Sequence, residues 1–166
     1  MKRRPRCLGD LDERLHPAES VRDEIRRNLV RKIRAQEKLF SGIVGFDETV
    51  IPQIVNALLA RHDIILLGLR GQAKSRICRL LVELLDPEVP MIEGSALREH
   101  PRRPLTRASR ERLEKEGDSL PIDWLPREAR FGEKLATPDV TMADLIGDID
   151  PLKAAHRKLD LSDEEV

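Results

Sequence analysis

The chain of 166 residues has no tyrosine, one tryptophan and three phenylalanines, so aromatic side chains make up only 2% of it. A core must therefore be built from Leu, Ile and Val. Recognition of single-stranded nucleic acid by stacking needs aromatic platforms, and this chain has almost none. Cysteine is equally scarce. Cys7 and Cys78 stand far apart without metal-ligand spacing, which points to reduced thiols and a cytoplasmic protein. No segment approaches the roughly 18 consecutive apolar residues that cross a bilayer, so no membrane partner is expected. The run Lys2-Arg3-Arg4-Pro5-Arg6 is followed by no apolar stretch, so it is not a secretion signal. Net charge is absent too: 30 Lys and Arg balance 30 Asp and Glu. No global field then selects DNA or lipid, and nucleic acid is not an expected partner on this balance.

The charge that is present is uneven. Residues 1–38 hold twelve Lys/Arg and seven Asp/Glu, so the neutral whole must carry its compensating negative charge further on. From Pro17 to Phe40 the apolar residues Val21, Ile25, Leu29, Ile33 and Phe40 form a stripe of near-fourfold spacing, which predicts an amphipathic helix. Asp23 and Arg27 are spaced for an i,i+4 ion pair. The Arg-rich remainder of this helix reads as a solvated face, with nucleic-acid or anionic-membrane binding as the competing reading. Ser41-Gly42-Ile43-Val44-Gly45 breaks the helix, and Asp47 is placed to cap the next one. Val50, Ile51, Ile54, Val55, Leu58 and Leu59 give that second helix a wide apolar face, and Pro52 falls near its first turn, where a missing N–H costs least.

Ile64-Ile65-Leu66-Leu67 is a short continuous apolar run ending in Gly68, the pattern of a strand buried on both faces of a parallel sheet. Beyond it, Ile77, Leu80, Leu81, Leu84 and Leu85 recur at helical spacing until Asp86-Pro87. Val89 to Ile92 reads as a further strand, although Pro90 suits only an edge. Residues 95–135 are rich in Arg, Glu and Pro and read as a surface insertion or mobile loop, with a helix from about Thr106 to Lys115 and Trp124 anchoring it. A short helix is expected from Met142 to Ile146, and a polar helical segment from Lys153 to Val166.

Between the apolar run and the helix lies Gly68-Leu69-Arg70-Gly71-Gln72-Ala73-Lys74-Ser75, followed by Arg76. The phosphate-loop pattern G-x-x-x-x-G-K-[S/T] sits between a strand and a helix. Gly68, Lys74 and Ser75 occupy three of its four fixed positions. Gly permits the tight turn that brings backbone N–H groups to phosphate oxygens, and the helix N-terminus directs its own N–H groups and positive dipole end at the same anion. Lys74 would neutralise the β- and γ-phosphates, and Ser75 would offer its hydroxyl to Mg²⁺. Ala73 stands where the pattern has its second Gly. A left-handed backbone there penalises Ala; a helical one accepts it. The expected ligand is a nucleoside triphosphate, ATP with Mg²⁺.

The G-x-x-G-x-A-K-S form resembles that of MoxR-type ATPases, relatives of the magnesium-chelatase ATPase subunit, within the AAA+ class. Ile43-Val44-Gly45 resembles the box that contacts adenine in this class, and Leu145-Ile146-Gly147-Asp148-Ile149-Asp150 resembles a segment of the chelatase-like clade. The resemblance covers roughly residues 39–152. It implies an α/β fold, a P-loop NTPase core with an incomplete parallel sheet flanked by helices. It also implies nucleotide contacts from Ile43, Val44, Gly45 and residues Gly68 through Arg76, self-association into a ring, an unidentified protein client, and ATP hydrolysis coupled to partner remodelling or metal insertion. Two parts follow: residues 1–40 as a basic helical extension, and 41–166 as the N-terminal half of the nucleotide-binding domain, with 95–135 inserted.

The family's Walker B strand, four apolar residues ending in Asp-Glu, has no counterpart here. Asp163-Glu164 follows a run that is polar at alternate positions, and no Arg can be assigned as a finger. No catalytic residue is identified. The alternative reading is therefore a truncated, non-catalytic interaction module with little nucleotide turnover. His16, His62, His100 and His156 share no spacing with Cys or carboxylates, so no metal beyond Mg²⁺ with nucleotide is expected. Asp148 and Asp150 read as flanking a helix start at Pro151.

Overall fold

The computed structural model describes residues 4–135 and 137–147. The residues expected as a C-terminal helix, together with Asp148, Ile149, Asp150, Pro151, His156 and Asp163-Glu164, lie outside the described part. Five α-helices are present there: α1 (Val21–Arg34), α2 (Val50–Leu59), α3 (Lys74–Leu80), α4 (Arg107–Glu116) and α5 (Ala143–Ile146). The two strands are β1 (Glu88–Ile92) and β2 (Ile122–Pro126), paired antiparallel with Glu88 opposite Pro126 and Ile92 opposite Ile122. The fold thus combines helices with a small antiparallel sheet.

Helix α1 starts where Ser20 accepts from the Asp23 N–H at 3.2 Å and its hydroxyl donates to the Asp23 carboxylate at 2.7 Å. Acidic residues in its first turn and Arg31, Lys32 and Arg34 in its last complement the helix dipole. It ends before the expected Phe40, because Gln36 turns into the left-handed region at φ 54°. Asp23 does not pair with Arg27. Its carboxylate meets Arg61 of the α2 C-terminus at 2.6 Å, whereas Arg27 reaches Glu19 at 2.8 Å and Asp86 at 2.6 Å. Nor does Asp47 cap α2: the turn closes through the Phe46 carbonyl, which accepts from the N–H groups of Thr49 and Ile51.

Two apolar clusters result. The first joins α1, α2 and α3 around Leu29, Phe40, Ile43, Ile54, Leu58, Ile77 and Leu84. The second gathers Leu8, Leu11, Ile92, Leu120 and Ile122, with Leu113 and Trp124 against it. Residues 95–130 therefore supply α4, β2 and part of a core. Trp124 anchors this part to the N-terminal segment. Its indole N–H donates to the Pro5 carbonyl at 3.1 Å, His16 meets its ring edge-on, and the Arg4 guanidinium lies 5.1 Å over it.

A polar seam holds the clusters together. Glu24, 3% exposed, takes both guanidinium nitrogens of Arg130 at 2.8 and 2.5 Å and the Asp86 N–H at 2.7 Å. Asn28, equally enclosed, donates to the Leu84 carbonyl and to Asp86, each at 3.0 Å.

The segment Ile64–Leu67 differs from its expectation. It belongs to neither strand, and the backbone N–H groups of 64–67 donate to no acceptor among the described residues. Ile64 and Leu66 pack against the first cluster, but Ile65 and Leu67 are 84% and 89% exposed. A strand buried on both faces needs neighbours on both edges, and β1 and β2 pair with each other instead.

Candidate phosphate-binding site

The loop 68–73 leads directly into α3, with Lys74 as the first helical residue. Gly68 and Gly71 take φ values of 152° and 82°, conformations that side chains rarely adopt. A Cβ on Gly68 would collide with the Gln72 side chain. That contact is part of the loop's own clasp, in which the Gln72 carboxamide oxygen accepts from the Leu69 N–H at 2.9 Å. The sequence marks Gln72 as a loop position but gives no sign of this internal role, which depends on the turn itself.

Lys74 curls back over the loop. Its ammonium donates to the carbonyls of Gly68 at 2.9 Å and Leu69 at 2.5 Å. The backbone N–H groups of Arg70, Gly71, Gln72 and Ala73 have no protein acceptor among the described residues. A cation and a row of donors are thus brought to one loop, the equipment of an anion site. Ala73 does take the left-handed conformation, φ 54° and ψ 14°, so the residue that replaces the pattern's second Gly carries the steric penalty of that region.

The structure brings the Ile43-Val44-Gly45 segment close to α3 through a neighbour. A Cβ on Gly42 would meet the Arg76 guanidinium, which would have to move aside, and Gly42 itself takes a φ of 82° that side chains rarely adopt. Within the segment, Ile43 is 3% exposed and faces the first core, Val44 is 87% exposed, and Gly45 sits in an open turn at φ 83°. Leu69 also stands out from the surface, and the residues of the loop are largely exposed. The Ser75 hydroxyl makes no hydrogen bond among the described residues, and no carboxylate there pairs with Lys74 or Ser75. Further along α3, Arg79 forms a two-pronged pair with Glu133, both bonds 2.9 Å, which fastens the helix to residues 131–135. The Arg79 hydrogen bonds hold the Glu133 carboxyl below its ordinary range.

Among the described residues, no group of three or more His, Cys, Asp or Glu side chains is placed to hold a metal ion. The donor set at the loop suits Mg²⁺ only as a companion of phosphate oxygens, through the Ser75 hydroxyl. No described helix is long and apolar enough to cross a membrane. No known protein family, curated protein or solved structure matches the chain.

Proposed function

We propose that this chain binds a nucleoside triphosphate, ATP with Mg²⁺, through the loop 68–75, as the Walker A half of a P-loop NTPase of the AAA+ kind. One observation carries the reading: the loop sets the Lys74 ammonium and the N–H groups of residues 70–73 around the same turn at the start of a helix. A polyphosphate accepts from all of them at once. Binding exchanges the two Lys74–carbonyl bonds, in which only the ammonium is charged, for bonds to phosphate, in which both partners are. When Mg²⁺ accompanies the nucleotide, it neutralises phosphate charge, and Ser75 is the side chain that reaches it. Val44, outward on the segment beside Arg76, is the residue of the 43–45 box with a surface to offer a base.

Hydrolysis needs more: a carboxylate to orient the attacking water and a cation for the developing charge. Among the described residues no carboxylate pairs with Lys74, and no cation beyond the loop's own is assigned to that charge, so the proposed activity is binding. Turnover, ring assembly and the remodelling of a partner or insertion of a metal belong to what the AAA+ resemblance implies. The reading as an interaction module draws support from the outward row of Ile65, Leu67 and Leu69.

Titration calorimetry with ATP·Mg²⁺ on the wild type and Lys74→Ala tests the proposal. One charge-assisted phosphate contact contributes roughly 1.5–3 kcal/mol, so the variant should bind about tenfold to a hundredfold more weakly. Equal affinities, with both proteins folded by circular dichroism, would remove the loop as the nucleotide site.

A further inference from the structure

We infer that the outer face of α1 is a binding groove for the phosphodiester backbone of a nucleic acid, separate from the phosphate loop. A groove of about 830 Å³ runs along α1 and is lined by Arg26, Arg27, Arg31, Arg34 and Arg61 against only two carboxylates, Glu19 and Asp23. The neutral charge of the whole chain conceals this concentration.

The helix arranges the arginines as a row. Arg27, Arg31 and Arg34 stand at i, i+4 and i+7, on one face, with steps of about 6 Å and about 4.5 Å along the axis. Arg61 closes the groove from the end of α2, held there by Asp23 at 2.6 Å. Arg26 spends one N–H on the Leu59 carbonyl at 3.0 Å and keeps the others for the groove. The side chains of Arg31 and Arg34 are exposed and make no hydrogen bond or ion pair among the described residues, although the charge of Arg31 helps to hold the Asp86 carboxyl below its ordinary range. The remaining acid of α1, Glu24, is turned inward onto Arg130 and cannot neutralise them. Two arginine forks are therefore uncommitted in a groove whose other members are already oriented.

Charge complementarity makes the occupant an anion, and the lining selects its class. Guanidinium groups match phosphate geometry bidentately. Apart from Val30, Ala35 and the arginine stems, the groove offers no apolar surface. A docked peptide draws most of its affinity from apolar or aromatic anchors in pockets, which this groove lacks. A phosphodiester backbone requires only the row of cations. Binding of this kind reads no sequence.

The test is fluorescence anisotropy of the 166-residue chain with a fluorescein-labelled oligonucleotide of mixed sequence, single- and double-stranded, at about 50 and about 200 mM salt. Binding should weaken steeply with salt. Arg31→Gln with Arg34→Gln should lower affinity at the lower salt at least tenfold and reduce the salt slope by about 2, one for each lost phosphate contact. The control Arg103→Gln with Lys115→Gln, which removes the same net charge elsewhere, should bind like the wild type. Inorganic triphosphate at concentrations that saturate the loop should not displace the oligonucleotide. Arginine modification by phenylglyoxal on the wild type gives a readout independent of variant folding, since bound oligonucleotide should shield Arg31 and Arg34. The proposal is overturned by absent binding at the lower salt, by an equal loss in the control, by displacement with triphosphate, or by undiminished modification of Arg31 and Arg34. Displacement by poly-glutamate as effective as by oligonucleotide of equal charge would overturn it in favour of an acidic protein partner.

Discussion

Ala73 and Glu99 show how much a single residue can carry here. At φ 54°, Ala73 occupies a region that costs an L-residue roughly 1–2 kcal/mol, while Gly pays about 0.5–1 kcal/mol for its extra freedom in the unfolded chain. The substitution Ala73→Gly should therefore leave the midpoint of thermal unfolding unchanged or raise it slightly. A drop like that of an ordinary helical Ala→Gly change would contradict the left-handed backbone. Glu99, 3% exposed, would have its pKa raised by burial alone. Hydrogen bonds from Ser109, the Thr106 N–H, Ser95 and the Leu105 N–H outweigh that effect and hold the carboxyl at about 2, from an ordinary 4.5. A carboxyl depressed in the folded state binds fewer protons there, so its stabilisation is complete above about 4.5 and disappears as the pH falls towards about 2. Urea unfolding across that interval should show stability declining with acid in the wild type and a flatter profile in Glu99→Gln. The sequence made the fixed positions of the loop readable, Gly68, Lys74 and Ser75 above all. It left the conformation of residue 73 open, because Ala is compatible with either outcome until the loop closes. Glu99 gave no signal, since its donors come from Ser95, Leu105, Thr106 and Ser109, on both sides of it in the chain and up to ten residues away.

Among the elements, the helices were the most legible. Apolar spacing located α1, α2 and α3, with α1 ending six residues short of the expected Phe40; α4 lies within a residue of the expected Thr106–Lys115, and Thr106 caps it by accepting from the Ser109 N–H. Helix ends and ion pairs were less so. Arg27 finds Asp86 across 59 residues rather than Asp23 on its own helix, which a rule about neighbours on one helix cannot anticipate. β1 was visible despite Pro90, but β2 was not, because Ile122-Asp123-Trp124-Leu125-Pro126 is too short and mixed to stand out. The run 64–67 has the composition of a central strand without the partners of one. Its amides should accordingly exchange with deuterium close to the rate of an unprotected peptide, while the ladder amides of β1 and β2 are slowed. Strong protection of Ile65 and Leu67 in a dilute, monomeric sample would show that the segment is paired.

In the whole molecule, stability depends on a join that is ionic. The first cluster meets the short 3-10 turn Arg127–Arg130 that follows β2 through Glu24, buried beneath Arg130 and Asp86. Removing one partner of such a pair leaves a charge enclosed without compensation and costs about 3–5 kcal/mol, a large share of the roughly 5–15 kcal/mol that keeps a domain folded. Glu24→Ala should lower the unfolding free energy by that amount in urea titration; a change below about 1 kcal/mol, the scale of a surface pair, would mean the seam is hydrated. Such a join is invisible in sequence, where Glu24 reads as one more charge on a solvated face. Composition did foretell the aliphatic character of both cores. It could not show that residues 4–11 and 88–125 would assemble one of them, since that requires contacts across more than a hundred residues.

The outward row of Ile65, Leu67 and Leu69 on an unladdered segment has a colloidal consequence. Copies of this chain carry no net charge at pH 7, so near neutrality no long-range repulsion keeps two such sticky edges apart. Attraction between extended segments then acts unopposed. The protein should be least soluble near pH 7, and a few units of net charge of either sign, from pH, bound anion or a polyanionic partner, should keep it dispersed.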